Sequence, residues 1–254
     1  MNNPVLEVKN LGIDFGGLTA VNKLNMVVNK NEIVGLIGPN GAGKTTVFNM
    51  LTKVYSPSRG TILLNGEDIA KYSTIEVNYK GIARTFQNIR LFNNLSVIDN
   101  VKTAMNHLNE YSVFDAFLHT RKYREKEKNI NDEAEELLKI FNLFESKDLS
   151  ASSLPYGAQR RLEIARALAS KPQLLLLDEP AAGMNPQETE ELMNTIRFVK
   201  DKFDIAILLI EHDMNLVMNI CERIYVLNFG MLLAKGEPEE IKNNPKVIQA
   251  YLGE

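Results

Sequence analysis

The sequence predicts an α/β fold: a parallel core sheet, an antiparallel β-subdomain toward the N-terminus and a helical subdomain in between. Three observations predict it. The stretch "GLIGPNGAGKTTVFNML" runs from a short apolar segment through a glycine-rich turn into a helical pattern. Two further apolar segments, "LLLL" at 174–177 and "IAILLI" at 205–210, lack the alternation of a half-exposed strand, which suits parallel strands covered on both faces. The N-terminal runs "VLEVKNLGIDF", "NMVVNKNEIVGLIG" and "GTILLNGEDI" are short, strand-like and separated by turn residues.

Taken in order, the first apolar segment, "EIVGLI", leads into Gly38, Pro39, Asn40, Gly41, Ala42, Gly43, Lys44, Thr45 and Thr46. Two glycines, Gly38 and Gly43, with four residues between them and followed by Lys and Thr, satisfy the phosphate-loop pattern. The glycines let backbone N–H groups approach an anion, and the lysine reaches β- and γ-phosphate oxygens. The Thr45 hydroxyl is placed to meet Mg²⁺. The expected ligand is therefore a nucleoside triphosphate with its metal.

Such a site needs a carboxylate at the end of a neighbouring strand, and "KPQLLLLDEPAAGMNP" supplies Asp178 and Glu179 there. Asp178 is positioned to hold Mg²⁺, and Glu179 to polarise the water that attacks the γ-phosphate. The segment "IAILLIEHDM" brings His212 to a third strand end. A histidine in that place serves as a structural donor or surface group, or reaches the γ-phosphate or its attacking water.

Residues 88–157 read as mostly helical, and "NDEAEELLKIFNLF" carries an apolar stripe at Ala134, Leu137, Leu138, Phe141 and Phe144. A helix then opens near "LPYGAQRRLEIARALA" without an acidic residue in its first turn. Its bare N–H groups and partial positive charge are fit to receive an anion.

Composition narrows the class. With 29 basic and 32 acidic residues the net charge is −3, no global sign of nucleic-acid binding. The single cysteine, Cys221, leaves no internal disulfide or multi-cysteine metal site and is expected to be a small buried residue. The apolar runs fall short of a membrane span, and "MNNPVLEVKN" lacks a signal-peptide core. A soluble, cytoplasmic protein is expected.

Five segments in order, "GPNGAGKTT", "RTFQNIRLF", "LPYGAQ", "LLLLDEP" and "LLIEHDM", resemble the ATPase subunits of ABC (ATP-binding cassette) transporters. The resemblance covers essentially the whole chain. It implies a P-loop NTPase with a RecA-like parallel sheet in a single domain, residues 1–87 and 158–254 forming the nucleotide-binding core and its β-subdomain, and residues 88–157 the helical subdomain. It implies Mg-dependent ATP hydrolysis, adenine stacked on Phe15, and Gln87 touching Mg²⁺ and the attacking water while its loop senses a transmembrane partner. It also implies that Tyr156, Gly157, Ala158 and Gln159 bind the γ-phosphate held by a second cassette in a head-to-tail dimer, of two copies or of this chain with a relative.

Two positions depart from the common pattern. Pro155 stands where a serine is usual, removing a hydroxyl and an N–H, and proline is at home in the first turn of a helix. Asn185 stands where an aspartate is usual in the loop that spans the dimer.

The stretch "MNHLNEYSVFDAFLHTRKYREKEKN" is longer than many cassettes carry, and its Arg121, Lys122, Arg124, Lys126 and Lys128 suit a solvated helix or contact with acidic headgroups or a membrane subunit. With the ending "IKNNPKVIQAYLGE", it is similar to the ATPase of branched-chain (hydrophobic) amino-acid importers. Cassettes for urea or short amides and for lipopolysaccharide extraction are the alternatives. Those acting on DNA or ribosomes fit less well, because the chain has one phosphate loop and no sustained heptads. The expected partners are transmembrane permease subunits at the cytoplasmic face of the membrane, a second cassette and an extracytoplasmic solute-binding protein, with no nucleic acid.

Overall fold

The chain is described from a computed structural model covering residues 4–105, 117–118 and 120–252. Part of the long stretch singled out above, residues 106–116 and 119, lies outside the described residues.

Two sheets carry the fold. Strands β1 (Leu6–Phe15), β2 (Leu18–Val28), β4 (Arg59–Leu64) and β5 (Glu67–Asp68) form an antiparallel sheet in the order β2-β1-β4-β5. Strands β3 (Ile33–Ile37), β6 (Ile82–Arg84), β7 (Leu174–Asp178), β8 (Ala206–Ile210), β9 (Arg223–Asn228) and β10 (Met231–Gly236) form the other, ordered β10-β9-β3-β8-β7-β6. Its strands are parallel except for edge strand β10.

The apolar runs split their side chains between two cores. In β7, Leu175 and Leu177 join the helix-facing cluster, while Leu174 and Leu176 face the antiparallel sheet. Ile207 and Leu209 alternate with Ala206, Leu208 and Ile210 in β8, and Ile224 and Val226 with Tyr225 and Leu227 in β9. Because successive strand residues point to opposite faces, a sheet covered on both sides needs an unbroken apolar run. Helix α1 (Lys44–Leu51) packs between the sheets through Val47, Phe48, Met50 and Leu51.

The helix-facing cluster also takes residues from α3 (Val97–Met105), α4 (Arg121–Ile140), α5 (Tyr156–Ala169) and α6 (Pro186–Phe203); the short α2 spans Thr74–Tyr79. Ala134, Leu137 and Leu138 form the buried stripe of α4 as predicted. The helix stops before the stripe does: Phe141 is its C-cap, Asn142 turns left-handed at φ 54°, and Phe144 begins a 3₁₀ turn. The basic residues Arg121 to Lys128 occupy the first turns of α4, where no residue before Ile130 is buried.

Helix α7 (Met214–Ile220) follows β8, and α8 (Pro238–Lys242) and α9 (Pro245–Leu252) close the chain against β10 and α7. Cys221 is buried beside α7, and burial pushes its thiol pKa up. Among the described residues no helix is long and apolar enough to cross a membrane.

Candidate active site

The phosphate loop joins β3 to α1, and its glycines answer different local demands. Gly38 has φ 149°, and a Cβ there would lie 2.1 Å from the Leu227 carbonyl oxygen. Gly43, the N-cap of α1 at φ 100°, packs against the Ala20 carbonyl. Gly41, at φ 78°, faces open space, as a backbone wrapped around an incoming anion requires. Helix α1 has no acidic residue in its first turn and no side-chain cap, so its N-terminal N–H groups remain open to an anion.

Lys44 is buried, and its Nζ donates to the carbonyls of Gly38 at 2.7 Å and Pro39 at 3.0 Å. Burial pushes its pKa below the usual lysine value, against the opposing charges of Glu179 and Asp178. Asn40 to Thr46 share a cleft of about 490 Å³ with Leu18, Thr19, Ala20, Gln87, Glu179, His212 and Phe229.

Glu179 sits one residue past β7 in a left-handed conformation, φ 49°, with its N–H on the Ile210 carbonyl at 2.8 Å. Such a conformation is uncommon outside glycine and is held here by its surroundings. Both carboxylate oxygens are engaged: Gln87 Nε2 donates to Oε2 at 3.0 Å, and His212 Nε2 lies 2.8 Å from Oε1. Side chains from two other segments thus converge on one carboxylate.

Asp178 is placed differently. It is 2% exposed, absent from the cleft lining and paired with Arg84, whose Nη2 lies 2.7 Å from Oδ2. Arg84 also donates to Asn49 Oδ1 at 2.7 Å, tying the strand end to α1. Phe15, at the end of β1, also stays outside the cleft lining; it is 43% exposed and meets Tyr55 edge-to-face at 5.3 Å. Leu18, Thr19, Ala20 and Phe229 occupy the flank instead. They were missed because their types carry no chemical signal.

Helix α5 starts at Tyr156, so Pro155 is its N-cap, one position before the first helical turn, with no side-chain cap. No residue from Tyr156 to Gln159 lines the phosphate cleft of this chain. The Tyr156 ring packs on Gly183, and Gln159 Nε2 donates to the Leu154 carbonyl at 2.8 Å. A Cβ on Gly157 would lie 2.7 Å from Glu188 Oε1, so the helix opening, bare in its own sequence, has a carboxylate of α6 beside it. Ala158 is buried. Asn185 caps α6: its Oδ1 accepts from Glu188 N–H and Glu188 Oε2 accepts from Asn185 N–H, both at 3.0 Å. Asparagine is as good an N-cap as aspartate, which accounts for it locally.

Glu211 was also missed. It is 4% exposed, and its Oε1 accepts from Ala181 N–H at 2.9 Å while Oε2 accepts from His212 N–H at 2.9 Å and Asp213 N–H at 3.3 Å. It bolts the loop after β7 to the loop that carries His212. Burial raises its pKa, and the three amide bonds oppose the rise. A lone charge at the exit of an apolar strand was the available signal.

This arrangement has relatives. The family model described as ABC transporter matches residues 21–182, and one described as branched-chain amino acid ATP-binding cassette transporter matches residues 231–254. The chain is 48% identical over 254 residues to the high-affinity branched-chain amino acid transport ATP-binding protein LivG of Escherichia coli K12, all of both chains being covered. BraF of Pseudomonas aeruginosa, of the same description, is 48% identical over 255 residues, again with full coverage. The lipopolysaccharide export system ATP-binding protein LptB of Haemophilus influenzae is 34% identical over 250 residues, 98% of each chain. Among solved structures, the ADP conformation of MJ1267, an ATP-binding cassette of an ABC transporter, superposes with a TM-score of 0.85 at 29% identity, covering 99% of both chains. With its motifs in family order, its cleft at the ends of the parallel strands and full-length identity of this degree, the chain belongs to the ABC transporter family, as one of its ATP-binding cassettes.

Proposed function

We propose that the chain hydrolyses ATP to drive a membrane importer of branched-chain amino acids. The observation that carries the solute class is the 48% identity, over the whole of both chains, to LivG and BraF. The match of residues 231–254 to the branched-chain cassette model supports it, and the lower identity to LptB argues against lipopolysaccharide extraction.

The geometry suits hydrolysis. The amides of Gly41 to Thr45 hold the phosphates, and Lys44 turns its Nζ from the Gly38 and Pro39 carbonyls to the β- and γ-oxygens. Glu179 accepts the proton of the attacking water, while Gln87 and His212 fix its two oxygens so that it arrives oriented. Phe15 is the adenine-stacking residue of this reading, reached by the base beyond the cleft described above.

Oxygen donors fit a hard cation: the exposed Thr45 hydroxyl and the Gln87 amide oxygen, whose amide nitrogen is committed to Glu179, with the Asp178 carboxylate, buried against Arg84, acting through a water. Mg²⁺ held there would neutralise charge on the β- and γ-phosphates.

Tyr156, Gly157, Ala158 and Gln159 serve the nucleotide of a second cassette, since they stand apart from the cleft of their own chain. Membrane subunits dock in the groove lined by Phe86, Arg90, Leu91, Phe92 and Arg166, residues that follow and flank Gln87 in the same loop or pack against it from α5. On this reading the chain works at the cytoplasmic face of the membrane, in a system completed by an extracytoplasmic solute-binding protein.

The test combines uptake with hydrolysis. In cells deleted for the chain, the wild type should restore uptake of labelled leucine, isoleucine and valine. Glu179→Gln should bind Mg-ATP, hydrolyse it about 10²–10⁴-fold more slowly and restore none. Wild-type complementation without branched-chain uptake overturns the solute class. Normal hydrolysis by Glu179→Gln overturns the assignment of the base.

A further inference from the structure

We infer that Glu211 is a positioning residue for hydrolysis: its carboxylate ties the chain leaving β7 to the chain leaving β8, and so fixes Glu179 and His212 at bonding distance from each other. The inference rests on the ATPase reading and names a further residue for that same site.

The backbone of Glu179 is what needs holding. Its φ of 49° is left-handed, a conformation that persists in a non-glycine residue only when the surroundings enforce it. Two bonds to the end of β8 bracket it. On the near side, Glu179 N–H donates to the Ile210 carbonyl at 2.8 Å, continuing the register that pairs Asp178 with Ile210. On the far side, Pro180 has no N–H to give, so the next available donor is Ala181 N–H, which bonds Glu211 Oε1 at 2.9 Å. The loop then turns on itself, with Ala182 N–H on the Glu179 carbonyl at 3.2 Å and Met184 N–H on the Ala181 carbonyl at 3.0 Å.

The second oxygen works on the other loop. Glu211 Oε2 accepts from His212 N–H at 2.9 Å and Asp213 N–H at 3.3 Å, which folds the chain leaving β8 around the carboxylate. Asp213 in turn caps α7, accepting from the N–H groups of Asn215 at 2.9 Å and Leu216 at 3.3 Å. His212 is thereby held between the carboxylate behind it and a helix start ahead, and its Nε2 meets Glu179 Oε1 at 2.8 Å. Burying a carboxylate is costly unless it is hydrogen-bonded, and main-chain donors from both loops answer this one. Each of those amides would be stranded in its turn if the carboxylate were removed. One buried group therefore sets the base and the histidine relative to each other.

Glutamine in place of Glu211 separates the two ties. Its one carbonyl oxygen can serve His212 and Asp213, but its NH₂ then faces Ala181 N–H, donor against donor; the opposite orientation sets the NH₂ against two donors and is worse. In the full, nucleotide-free chain, Glu211→Gln should speed amide exchange at Ala181 about tenfold while leaving Ile207 to Leu209 of β8 unchanged. Unchanged exchange at Ala181 overturns the proposal. If Glu211→Gln does not fold, Glu211→Asp, one methylene too short to reach both loops, takes its place. Exchange is then read at Ala181, His212 and Asp213, and no increase at any of them overturns the proposal.

Catalysis is tested by a double-mutant cycle in the complete transporter, purified through a tag on this chain. Glu211→Gln should lower kcat about tenfold with an unchanged KM for ATP. It should add less than about twofold to the loss already caused by Glu179→Gln, because a group that acts by placing the base has nothing left to place. An unchanged kcat, or effects that multiply, overturns the proposal. A wild type without Mg-ATP hydrolysis sinks the ATPase reading instead, and the exchange comparison still decides whether Glu211 holds the two loops.

Discussion

Arg84–Asp178 and Arg160–Glu163 are both buried arginine–carboxylate pairs, and they flank the same loop. The first joins two strands, 94 residues apart in sequence, with side-chain exposures of 6% and 3%. The second lies within one helix turn, with exposures of 1% and 2%. The difference is in what else they hold. Arg84 reaches a further side chain, Asn49, whereas Arg160 and Glu163 grip two backbone carbonyls and two backbone amides; each arginine leaves its buried Nε without a partner. A pair whose outer bonds go to side chains can be exchanged as a unit. A pair that satisfies main chain cannot, because peptide groups stay behind when the side chains are removed.

Replacing both members separates the two cases. Arg160→Met with Glu163→Leu should destabilise the chain by about 4 kcal/mol or more, since buried peptide groups lose their partners at about 1–3 kcal/mol each. Asp178→Leu alone should cost about 3–5 kcal/mol by leaving Arg84 charged and unpaired. Adding Arg84→Met to it should recover much of that loss, because an apolar pair of similar volume is often neutral. Urea unfolding without nucleotide gives all three values, and equal costs for the two double variants would break the comparison.

A smaller effect is expected at the opening of α5. Pro155→Ser places a hydroxyl at an N-cap that has none and should stabilise the chain by about 0.5–1 kcal/mol in thermal unfolding. A loss would mean that the rigidity of proline at this position outweighs the added bond. At the bottom of the scale is Arg121–Glu125, an exposed pair on α4. Arg121→Ala should change stability by less than about 0.5 kcal/mol, setting the surface against which the buried pairs are judged.

The contrast also explains what the sequence could show. The sheet was legible because covered strands require unbroken apolar runs, and the phosphate loop because Gly38, Gly43, Lys44 and Thr45 are fixed by chemistry at fixed spacing. Glu179 and His212 were legible as polar residues at strand ends, and Gln87 only through resemblance. The Arg84–Asp178 pair was not, because nothing local in Arg84 announces a partner so far along the chain. Arg160 and Glu163 were hidden for another reason: charges three apart on a helix ordinarily face solvent, and only packing against the loop turns them inward. The end of α4 was misjudged because the apolar stripe continues through Phe141 and Phe144 after Asn142 has broken the helix.

Lys44 carries one further consequence. Its ammonium is already coordinated by the Gly38 and Pro39 carbonyls at 2.7 and 3.0 Å, so an arriving anion must compete with the loop's own backbone for it. A single small anion offers few contacts in return for breaking two charge-assisted bonds in a buried setting, whereas a polyphosphate also engages the amides of the whole loop. The cleft therefore discriminates by ligand length: inorganic phosphate should displace a fluorescent ATP analogue only weakly, leaving the loop available to ATP in the presence of excess orthophosphate.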